Sequence, residues 1–384
     1  MKITFITFHN WETKRIGGFH KFAEACANAG HEVIFFSFAR PYYSYIKQDE
    51  RQNKHVLETL SKGVLYKTNK GHDILNCTWP TLRIPNPIYR HVPRSINHWC
   101  NTHSLKSFSK FCSTFLDGTD VFVFESCEGI ELFDMIRKKY PSAKYVYRPS
   151  DPMMIDTASK YTIEEETKVL KSVDLNIIVN QKSIDLYKRK VSDYESTVNY
   201  CLLSNGVDID LFTIEHPVPD ILKKDNTALY VGAREAEWDL LVETAKMCPD
   251  YNIICVCPEK PSASFLNCGL KNLFYIPGIS PNEVPAYVTN CDVIIVPNPA
   301  GEYKLRPWGV TAKYYQAFAA NKPVVAFDDI EELTEYGAHV SHSYNQFIKD
   351  LRLAMENSSA TQYELSNKSW TDITAKFLSL IENL

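Results

Sequence analysis

The sequence predicts an α/β protein with two doubly wound, Rossmann-like domains, each built on a parallel sheet. Three observations support this fold class. With 384 residues, of which 45% are hydrophobic and 23% charged, the chain exceeds what one hydrophobic core usually supports. Short apolar runs alternate with helical segments, and the alternation stops and restarts near the middle of the chain. Strands joined through helices form parallel sheets with right-handed crossovers, so each series predicts one domain.

The first series begins with an apolar strand over residues 2–8 and a loop that ends in Gly17-Gly18. Helical periodicity over 19–30 and a second strand over 31–38 complete a βαβ unit. Further strands are predicted over 121–126, 143–149 and 175–180. Because these runs are almost wholly apolar, we expect helices on both faces of the sheet. The predicted N-terminal domain covers residues 1–205.

The second series starts beyond the junction sequence LLSNGVDIDLF at 202–212. Its predicted strands are 228–233, 251–257, 273–278, 292–298 and 322–327. They define a C-terminal domain over residues 206–366. The last segment, 367–384, has the pattern of an amphipathic helix, which we predict to pack back on the N-terminal domain.

Composition excludes several classes of protein. A net charge of -4 gives no overall basic field, which disfavours nucleic-acid binding. The eleven cysteines have no paired C-x-x-C spacing, a pattern that favours buried, reduced thiols in a cytosolic protein. We find no apolar run of about 18 residues and no signal-peptide pattern, so we expect neither a spanning helix nor export.

Candidate residues of the first domain follow from their place in the fold, since ligands of such sheets bind beyond the carboxyl ends of the strands. We assign Gly17, Gly18 and His20, after the first strand, to acceptor binding, although Gly-Gly in a loop is more often only a turn. Asp151 follows the strand over 143–149 and could accept a proton from a hydroxyl group. Its alternative role is to cap the next turn.

Candidate residues of the second domain lie at the corresponding ends of its strands. Gly232 lies near the end of the predicted strand over 228–233, and Arg234 directly follows it, where a guanidinium group suits a diphosphate. Lys313 and Gln316 lie one turn apart on one helix face, where they could bind phosphate and ribose. The alternative is a lysine whose stem is buried in a packing helix. No D-x-D sequence ends a strand here, so we expect neither a metal nor a cofactor.

Several motifs of the chain together resemble those of GT-B fold glycosyltransferases. They are SNGVDIDLF, YVGA, GISPNEVPAYVTNCDVIIVP and K-x-x-Q-A-x-A-x-x-K-P-V-V-A. Retaining enzymes of this fold usually carry glutamate at the position of Gln316 and glycine at that of Asn321. The K-x-x-Q form, with Y-R-P-S-D after an N-terminal strand, is closer to the bacterial xanthan-type glucuronosyltransferases, which are inverting, metal-independent and associated with the inner membrane.

The resemblance implies roles for individual residues. Asp151 would be the general base, Lys313 would bind pyrophosphate and Gln316 would bind ribose or the adjoining phosphate. The donor would be a UDP-sugar, with glucuronic acid as one candidate sugar. Further donor-binding assignments are Gly278, Ile279, Glu283 and Tyr303. Glu283 could instead start a helix, and both a retaining transferase and a non-catalytic sugar- or nucleotide-binding protein remain open alternatives.

The acceptor is expected to be a lipid-linked glycan, with the protein peripheral on the cytoplasmic face of the cell membrane. Between Asp73 and Asp117 the sequence has no acidic residue. Basic and apolar side chains alternate there, a mixture that suits a membrane surface. The basic residues are Arg83, Arg90, Arg94, Lys106 and Lys110, and the apolar ones are Trp79, Ile84, Pro85, Pro87, Ile88, Tyr89, Trp99, Phe108 and Phe111. The alternative is that the apolar side chains fill the domain core.

Overall fold

The computed structural model describes residues 1–13, 16–45, 56–85, 88, 91–232, 234–299, 307–357 and 362–384. It divides into two compact units. The first unit comprises Met1–Ser204 and Ile373–Leu384, and the second comprises Asn205–Asp372. Each unit has one sheet with helices between its strands, so the predicted α/β class with two doubly wound sheets is confirmed.

The sheet of the first unit has eight strands among the described residues, in the order β3-β4-β2-β1-β5-β6-β7-β8. Among these eight described strands, the β3–β4 pair alone is antiparallel. The strands are β1 (Lys2–Thr7), β2 (Glu32–Pro41), β3 (Val64–Lys67), β4 (Asp73–Thr81), β5 (Val121–Glu125), β6 (Lys144–Arg148), β7 (Leu175–Ile178) and β8 (Tyr200–Leu202). The carboxyl ends of β1, β5 and β6 are therefore neighbours.

The helices of this unit connect these strands. They are α1 (Gly18–Asn28), α2 (Val56–Ser61), α3 (Arg94–Thr102), α4 (Phe108–Phe111), α5 (Phe133–Lys139), α6 (Lys160–Ser172), α7 (Gln181–Lys190) and α8 (Tyr194–Thr197). Single turns of 3₁₀ helix occur at Tyr42–Tyr45 and Glu128–Leu132, and a π-helical turn at Cys112–Leu116. The side-chain hydroxyl of Ser159 caps α6, and the amide oxygen of Asn180 caps α7, as is typical of helix starts.

The sheet of the second unit is parallel, with the order β11-β10-β9-β12-β13-β14 over the described residues. Its strands are β9 (Thr227–Val231), β10 (Asn252–Val256), β11 (Leu273–Ile276), β12 (Val293–Pro297), β13 (Val324–Phe327) and β14 (His339–Ser341). Its helices are α9 (Ile209–Thr213), α10 (Trp238–Met247), α11 (Ala263–Leu266), α12 (Val284–Asn290), α13 (Ala312–Ala319), α14 (Glu332–Glu335) and α15 (Tyr344–Glu356). Two 3₁₀ turns lie at Asp220–Leu222 and Pro281–Glu283.

The last helix, α16 (Trp370–Glu382), carries the chain from the second unit back into the first. Its Phe377 is fully buried. The ring of Phe377 lies 4.3 Å from that of Phe22 on α1 and 6.1 Å from that of Phe5 on β1, measured between centroids. Burial of the apolar face of α16 against these two elements holds the end of the chain in the first unit.

Strand β4 is the main element that the sequence patterns did not predict. Its sequence, DILNCTWPT, mixes polar and apolar residues and contains a proline, both of which disfavour a central strand. It nevertheless pairs with β2 on one side and β3 on the other. Trp79 on this strand is buried, with its ring 5.0 Å from that of Phe111. These two aromatic side chains belong to the core of the unit.

The state of the cysteines and the length of the helices relate to the expectations of buried thiols and of no membrane-spanning helix. All eleven cysteines are free, and nine of them are buried. Among the described residues, no helix has both the length and the apolar character required to cross a bilayer.

Candidate active site

Three neighbouring strands of the first unit end in a connected polar network around Glu125. This residue ends β5, and its side chain is 2% exposed. The carboxylate accepts hydrogen bonds from the hydroxyl of Thr7, which ends β1, and from that of Ser150 at 2.7 Å, just beyond β6. Nε2 of His9 lies 3.8 Å from Oε1 of Glu125. One buried carboxylate thus links the ends of all three strands.

The charge state of Glu125 is set by its surroundings. Burial raises its pKa to about 7, against the lowering effect of the Thr7 and Ser150 hydroxyls and of the Arg148 guanidinium. The charge of Asp151 adds to the increase. Arg148 is itself buried, with its guanidinium 4.5 Å from the centre of the Phe22 ring, and burial lowers its pKa to about 10. An acid buried in this way changes protonation near neutral pH.

Asp151 lies on the turn that follows β6, and it is exposed. The hydroxyl oxygen of Ser126 accepts hydrogen bonds from the backbone N–H groups of Ser150, at 3.1 Å, and of Asp151, at 3.3 Å. The turn is thereby tied to the residue that follows Glu125. A carboxylate held at a fixed place and open to solvent is suited to accept a proton from an incoming hydroxyl.

The chain beyond Asp151 is fixed by a second buried carboxylate, Glu166 on α6. It accepts hydrogen bonds from the backbone N–H groups of Met153 and Met154, at 3.0 and 2.6 Å. The hydroxyls of Tyr147 and Tyr187 also donate to it, both at 2.8 Å. Burial raises the pKa of Glu166, and these four hydrogen bonds oppose the increase. The segment carrying Asp151 is therefore anchored on both sides.

The residues predicted to bind the acceptor lie around the start of α1. Gly17 is the N-cap residue of this helix and Gly18 its first residue. His20 is buried, and each of its ring nitrogens contacts the backbone: Nδ1 accepts from the Gly17 N–H at 3.3 Å, and Nε2 lies 2.9 Å from the Asn10 carbonyl oxygen. Burial lowers the pKa of His20. His20 shapes the loop, and acceptor binding by these residues stays a prediction.

In the second unit, Lys313 belongs to a polar cluster at the ends of β12 and β13. Its ammonium group lies 3.0 Å from Oδ1 of Asn298, the residue after β12. The side-chain amide of Asn298 donates to Asp328, which follows β13. The hydroxyl of Tyr314 donates to the same carboxylate at 2.9 Å. The Lys313 side chain is therefore held by residues at the ends of β12 and β13, and it is only partly exposed.

Lys313 is held close to positive as well as negative groups. Burial lowers its pKa to about 8; Asp328 opposes this change, and the charge of Arg234 adds to it. The sequence-predicted pair of Lys313 and Arg234 is thus brought together. At the N-cap of α13, Oγ1 of Thr311 is buried and has no hydrogen-bond partner among the described residues. Two cations and a free hydroxyl at a helix start are suited to a phosphate group.

Gly232 and Arg234 follow β9 and surround the hydroxyl of Tyr230. A Cβ atom on Gly232 would overlap with the end of the Tyr230 side chain, so a larger residue would require that side chain to move. The hydroxyl donates to the carbonyl oxygen of Arg234 at 3.1 Å. The guanidinium of Arg234, on an exposed residue, lies 4.9 Å from the centre of the Trp308 ring. These contacts fix the backbone at this strand end.

The other predicted donor-binding residues lie at different places. Gly278 follows β11 with a φ of 101°, and its N–H donates to the carbonyl oxygen of Ile276 at 2.8 Å. Ile279 is partly buried against the core. Glu283 accepts from the Ser280 N–H at 2.8 Å in a capping box, its alternative role as a helix-start residue. Gln316 lies partly exposed on α13, and Tyr303 is outside the described residues.

Glu125, Asn298 and Asp328 are the site residues that the sequence interpretation did not single out. Each one ends or directly follows a strand of almost purely apolar residues. A polar residue at the end of an apolar strand is the available signal, and it is the same signal that selects Asp151 and Arg234. Within the described residues, no group of three or more His, Cys, Asp or Glu side chains is arranged to hold a metal ion.

The segment between Asp73 and Asp117 combines a buried part with an exposed apolar surface. Trp79 and Phe111 are buried, and Phe108 is partly buried. In the part of this segment that the structure describes, the exposed large hydrophobic side chains are Ile88 (56% exposed), Ile96 (48%), Trp99 (50%) and Leu105 (78%). We call these four residues the apolar patch.

The charges of this segment are partly neutralised by carboxylates from outside it. Arg83 is paired with Glu128 at 2.5 Å, and Arg94 with Glu164 at 2.5 Å. Arg90, Pro87 and Tyr89 lie outside the described residues. Although the segment itself has no acidic residue, at least two of its basic groups are paired with carboxylates from elsewhere in the unit.

Comparison with known proteins gives one family and a common fold. The profile of the family described as "Glucuronosyltransferase GumK, N-terminal domain" matches residues 5–179. No curated protein sequence matches the chain. The resemblance to the xanthan-type glucuronosyltransferases is thus confirmed for the N-terminal domain.

Solved structures of low sequence identity share the fold. Sucrose-phosphate synthase from Thermosynechococcus elongatus has a TM-score of 0.70 at 14% identity, covering 100% of this chain and 98% of that one. HepE from Anabaena, solved in complex with UDP and glucose, has a TM-score of 0.61 at 12% identity, covering 100% of both chains. A UDP-forming trehalose-phosphate synthase from Burkholderia vietnamiensis has a TM-score of 0.62 at 10% identity and the same coverage. The fold is that of the GT-B glycosyltransferases.

Proposed function

We propose that this GT-B fold chain, whose N-terminal domain is similar to that of the glucuronosyltransferase GumK, is an inverting glycosyltransferase. It moves a sugar from a UDP-sugar to a lipid-linked glycan, as in bacterial surface polysaccharide synthesis, without a metal ion. Glucuronic acid is the first sugar to test. The observation that carries the proposal is the exposed carboxylate of Asp151 on an anchored turn at the end of β6.

The chemistry assigned to Asp151 is general base catalysis. Its carboxylate takes the proton of an acceptor hydroxyl while the hydroxyl oxygen attacks the anomeric carbon of the donor sugar. The bond between that carbon and the diphosphate oxygen breaks, and its electron pair leaves with UDP. Attack on the face opposite to the leaving group inverts the configuration of the sugar. One carboxylate is sufficient for this single displacement.

The second unit supplies the diphosphate site. Lys313 and Arg234 offset the charge that develops on the leaving diphosphate, and the start of α13 with Thr311 adds hydrogen-bond donors. HepE was solved with UDP, and a solved trehalose-phosphate synthase is UDP-forming, which supports a uridine diphosphate donor for this chain as well. Gln316, one turn beyond Lys313, is assigned to ribose or the adjoining phosphate.

Asp151→Asn tests the assignment of the base. We expect the transfer rate to fall by about 10² to 10⁴, because the amide cannot accept the proton, while UDP affinity is unchanged. Asp185→Asn, which alters an exposed carboxylate on α7 of the same unit, is the matched control and is expected to keep full activity. Full activity of Asp151→Asn would contradict the assignment. A retaining enzyme would tolerate the change better, and a binding protein would show no turnover with any donor.

Membrane contact through the apolar patch is the second part of the proposal. Ile96 and Trp99 lie three residues apart on α3, so they share a helix face, and Ile88 and Leu105 flank the helix. Exposed apolar groups next to basic residues can enter the headgroup boundary of an anionic bilayer. Because Arg83 and Arg94 are paired within the unit, the apolar groups contribute more to binding than the sequence alone predicts.

Liposome flotation with anionic and with neutral lipid tests this contact. Trp99→Ser with Ile96→Ser is expected to weaken binding to anionic vesicles by about tenfold or more, given about 1.5 kcal/mol or more for burying one large apolar side chain. Leu353→Ser, which removes an exposed leucine of the second unit, is the control. Charge reversal at Arg83, Arg90 and Arg94 is also expected to release the protein. Equal binding to neutral vesicles, or no binding to either, would contradict the proposal.

A further inference from the structure

Glu125 has no part in the proposed proton transfer, yet it is the centre of the buried hydrogen-bond network next to the turn that carries Asp151. A buried carboxylate costs free energy unless its hydrogen bonds and neighbours offset the loss of water. Two hydroxyls, Thr7 and Ser150, donate to it, and one of them belongs to the residue before Asp151. A side chain that only filled space at this strand end would not need a charge.

The strand end of β5 holds the Asp151 turn through two consecutive residues. The Glu125 carboxylate accepts a hydrogen bond from the side-chain hydroxyl of Ser150. The Ser126 hydroxyl oxygen accepts hydrogen bonds from the backbone N–H groups of Ser150 and Asp151. The carboxylates of Glu125 and Asp151 also interact through their charges. Geometry and electrostatics therefore connect the same two acids.

We propose that Glu125 is a positioning residue for Asp151: its carboxylate fixes the turn that carries Asp151, and its negative charge makes Asp151 a stronger base. The inference rests on the proposed function, in which Asp151 is the base. A negative charge nearby stabilises the protonated form of Asp151, which is the form produced when Asp151 takes the acceptor proton.

The other charged and titratable groups around Glu125 do not replace this effect. Arg148, at the end of β6, is buried, and its positive charge lowers the pKa of Glu125. His9 follows β1, and its Nε2 lies 3.8 Å from Oε1 of Glu125. Cys127, two residues after Glu125, is buried, and both burial and the charge of Glu125 raise its pKa well above the usual value, so it stays a neutral thiol. The groups to consider in any titration are therefore Glu125, Asp151, His9 and Arg148.

Carbon-13 NMR of the Asp151 carboxyl group in protein labelled at aspartate tests the inference without turnover. Asp151→Asn identifies the resonance by its loss. In the wild-type protein we expect the signal to show a second inflection near pH 7, where Glu125 ionises. In Glu125→Gln we expect that inflection to disappear, while the main titration of Asp151 at lower pH, where Glu125 of the wild-type protein is protonated and neutral, stays in place. Glu131→Gln, which removes another buried carboxylate of the unit, is the control and is expected to leave the Asp151 titration unchanged.

The rate of a single turnover, measured from pH 6 to 9, gives the second readout. We expect the wild-type rate to rise by about three- to tenfold around pH 7 and the Glu125→Gln rate to stay flat at the lower level. A turn displaced by the substitution, without any effect of charge, would lower the rate by the same factor at every pH at which both proteins are folded.

The possible outcomes separate this inference from the proposed function. A wild-type Asp151 signal without an inflection near pH 7 overturns the inference, and this measurement does not require that any variant folds. A second inflection that is still present in Glu125→Gln overturns it too, whether or not the protein transfers a sugar. Coupled titration without any sugar transfer supports the link between the two acids and contradicts the proposed function alone.

Discussion

Replacement of Glu125 by glutamine is expected to change how the stability of the protein depends on pH. In the folded protein the pKa of Glu125 is about 7, because burial disfavours the charged form, whereas its ordinary value is 4.5. Between these two values the folded protein holds a proton on Glu125 that the unfolded chain has lost. Glutamine keeps the shape of the side chain and its acceptor oxygen but does not titrate.

The sign and the size of the effect follow from this difference in proton binding. Because the folded state binds more protons, its stability decreases as pH rises through the window from 4.5 to about 7. The contribution of Glu125 is fully present below pH 4.5 and lost above about 7. At about 1.4 kcal/mol per pH unit, the loss amounts to about 3 kcal/mol over the window. Glu125→Gln is expected to abolish this part of the pH dependence.

Urea unfolding of both proteins at pH 5 and at pH 8 measures the effect. We expect the free energy of unfolding of Glu125→Gln, relative to wild type, to increase by about 2 to 3 kcal/mol between these two pH values. Glu335→Gln, which changes an exposed carboxylate of the second unit, is expected to behave like wild type. A difference in unfolding free energy between Glu125→Gln and wild type that stays constant with pH would show that Glu125 does not titrate between pH 5 and pH 8.

Two further predictions concern Lys313 and the last helix. Since the pKa of Lys313 is about 8, the affinity for UDP, measured by calorimetry, is expected to fall as pH rises above 8. Lys313→Ala is expected to weaken binding by about 1 to 3 kcal/mol, whereas Lys313→Arg should bind UDP equally at pH 7 and pH 9. Unchanged affinity in Lys313→Ala would exclude a contact between Lys313 and the diphosphate. Phe377→Ala is expected to destabilise the first unit by about 3 to 5 kcal/mol in urea unfolding, since the ring is fully buried between α1 and β1, and a loss below 1 kcal/mol would contradict that packing.

Much of the fold could be predicted because the buried strands of a parallel sheet are continuous apolar runs. β1, β5 and β12 are of this kind. β4 was missed because its polar residues are satisfied within the sheet, for instance by the hydrogen bond from the Asn76 side chain to the Phe35 carbonyl oxygen at 2.7 Å. Such pairing joins residues far apart in sequence, and local patterns do not contain it.

Residues of the candidate site could be predicted only where their own position in the sequence indicated a function. Asp151 and Lys313 follow from their positions at a strand end and a helix start. Glu125 and Asp328 were missed because their roles depend on partners from other strands, such as Ser150 and Asn298. Glu283 shows the opposite case, in which the local rule for helix starts describes the contact that the structure contains.

The configuration of the new glycosidic bond shows whether the transfer is a single displacement with Asp151 as its base. The measurement is proton NMR of the product formed from a UDP-sugar and a synthetic lipid-linked acceptor, taken early in the reaction. With Asp151 as the only carboxylate in the transfer, we expect an anomeric configuration opposite to that of the donor, together with loss of product in Asp151→Asn. A product that retains the configuration of the donor would contradict it.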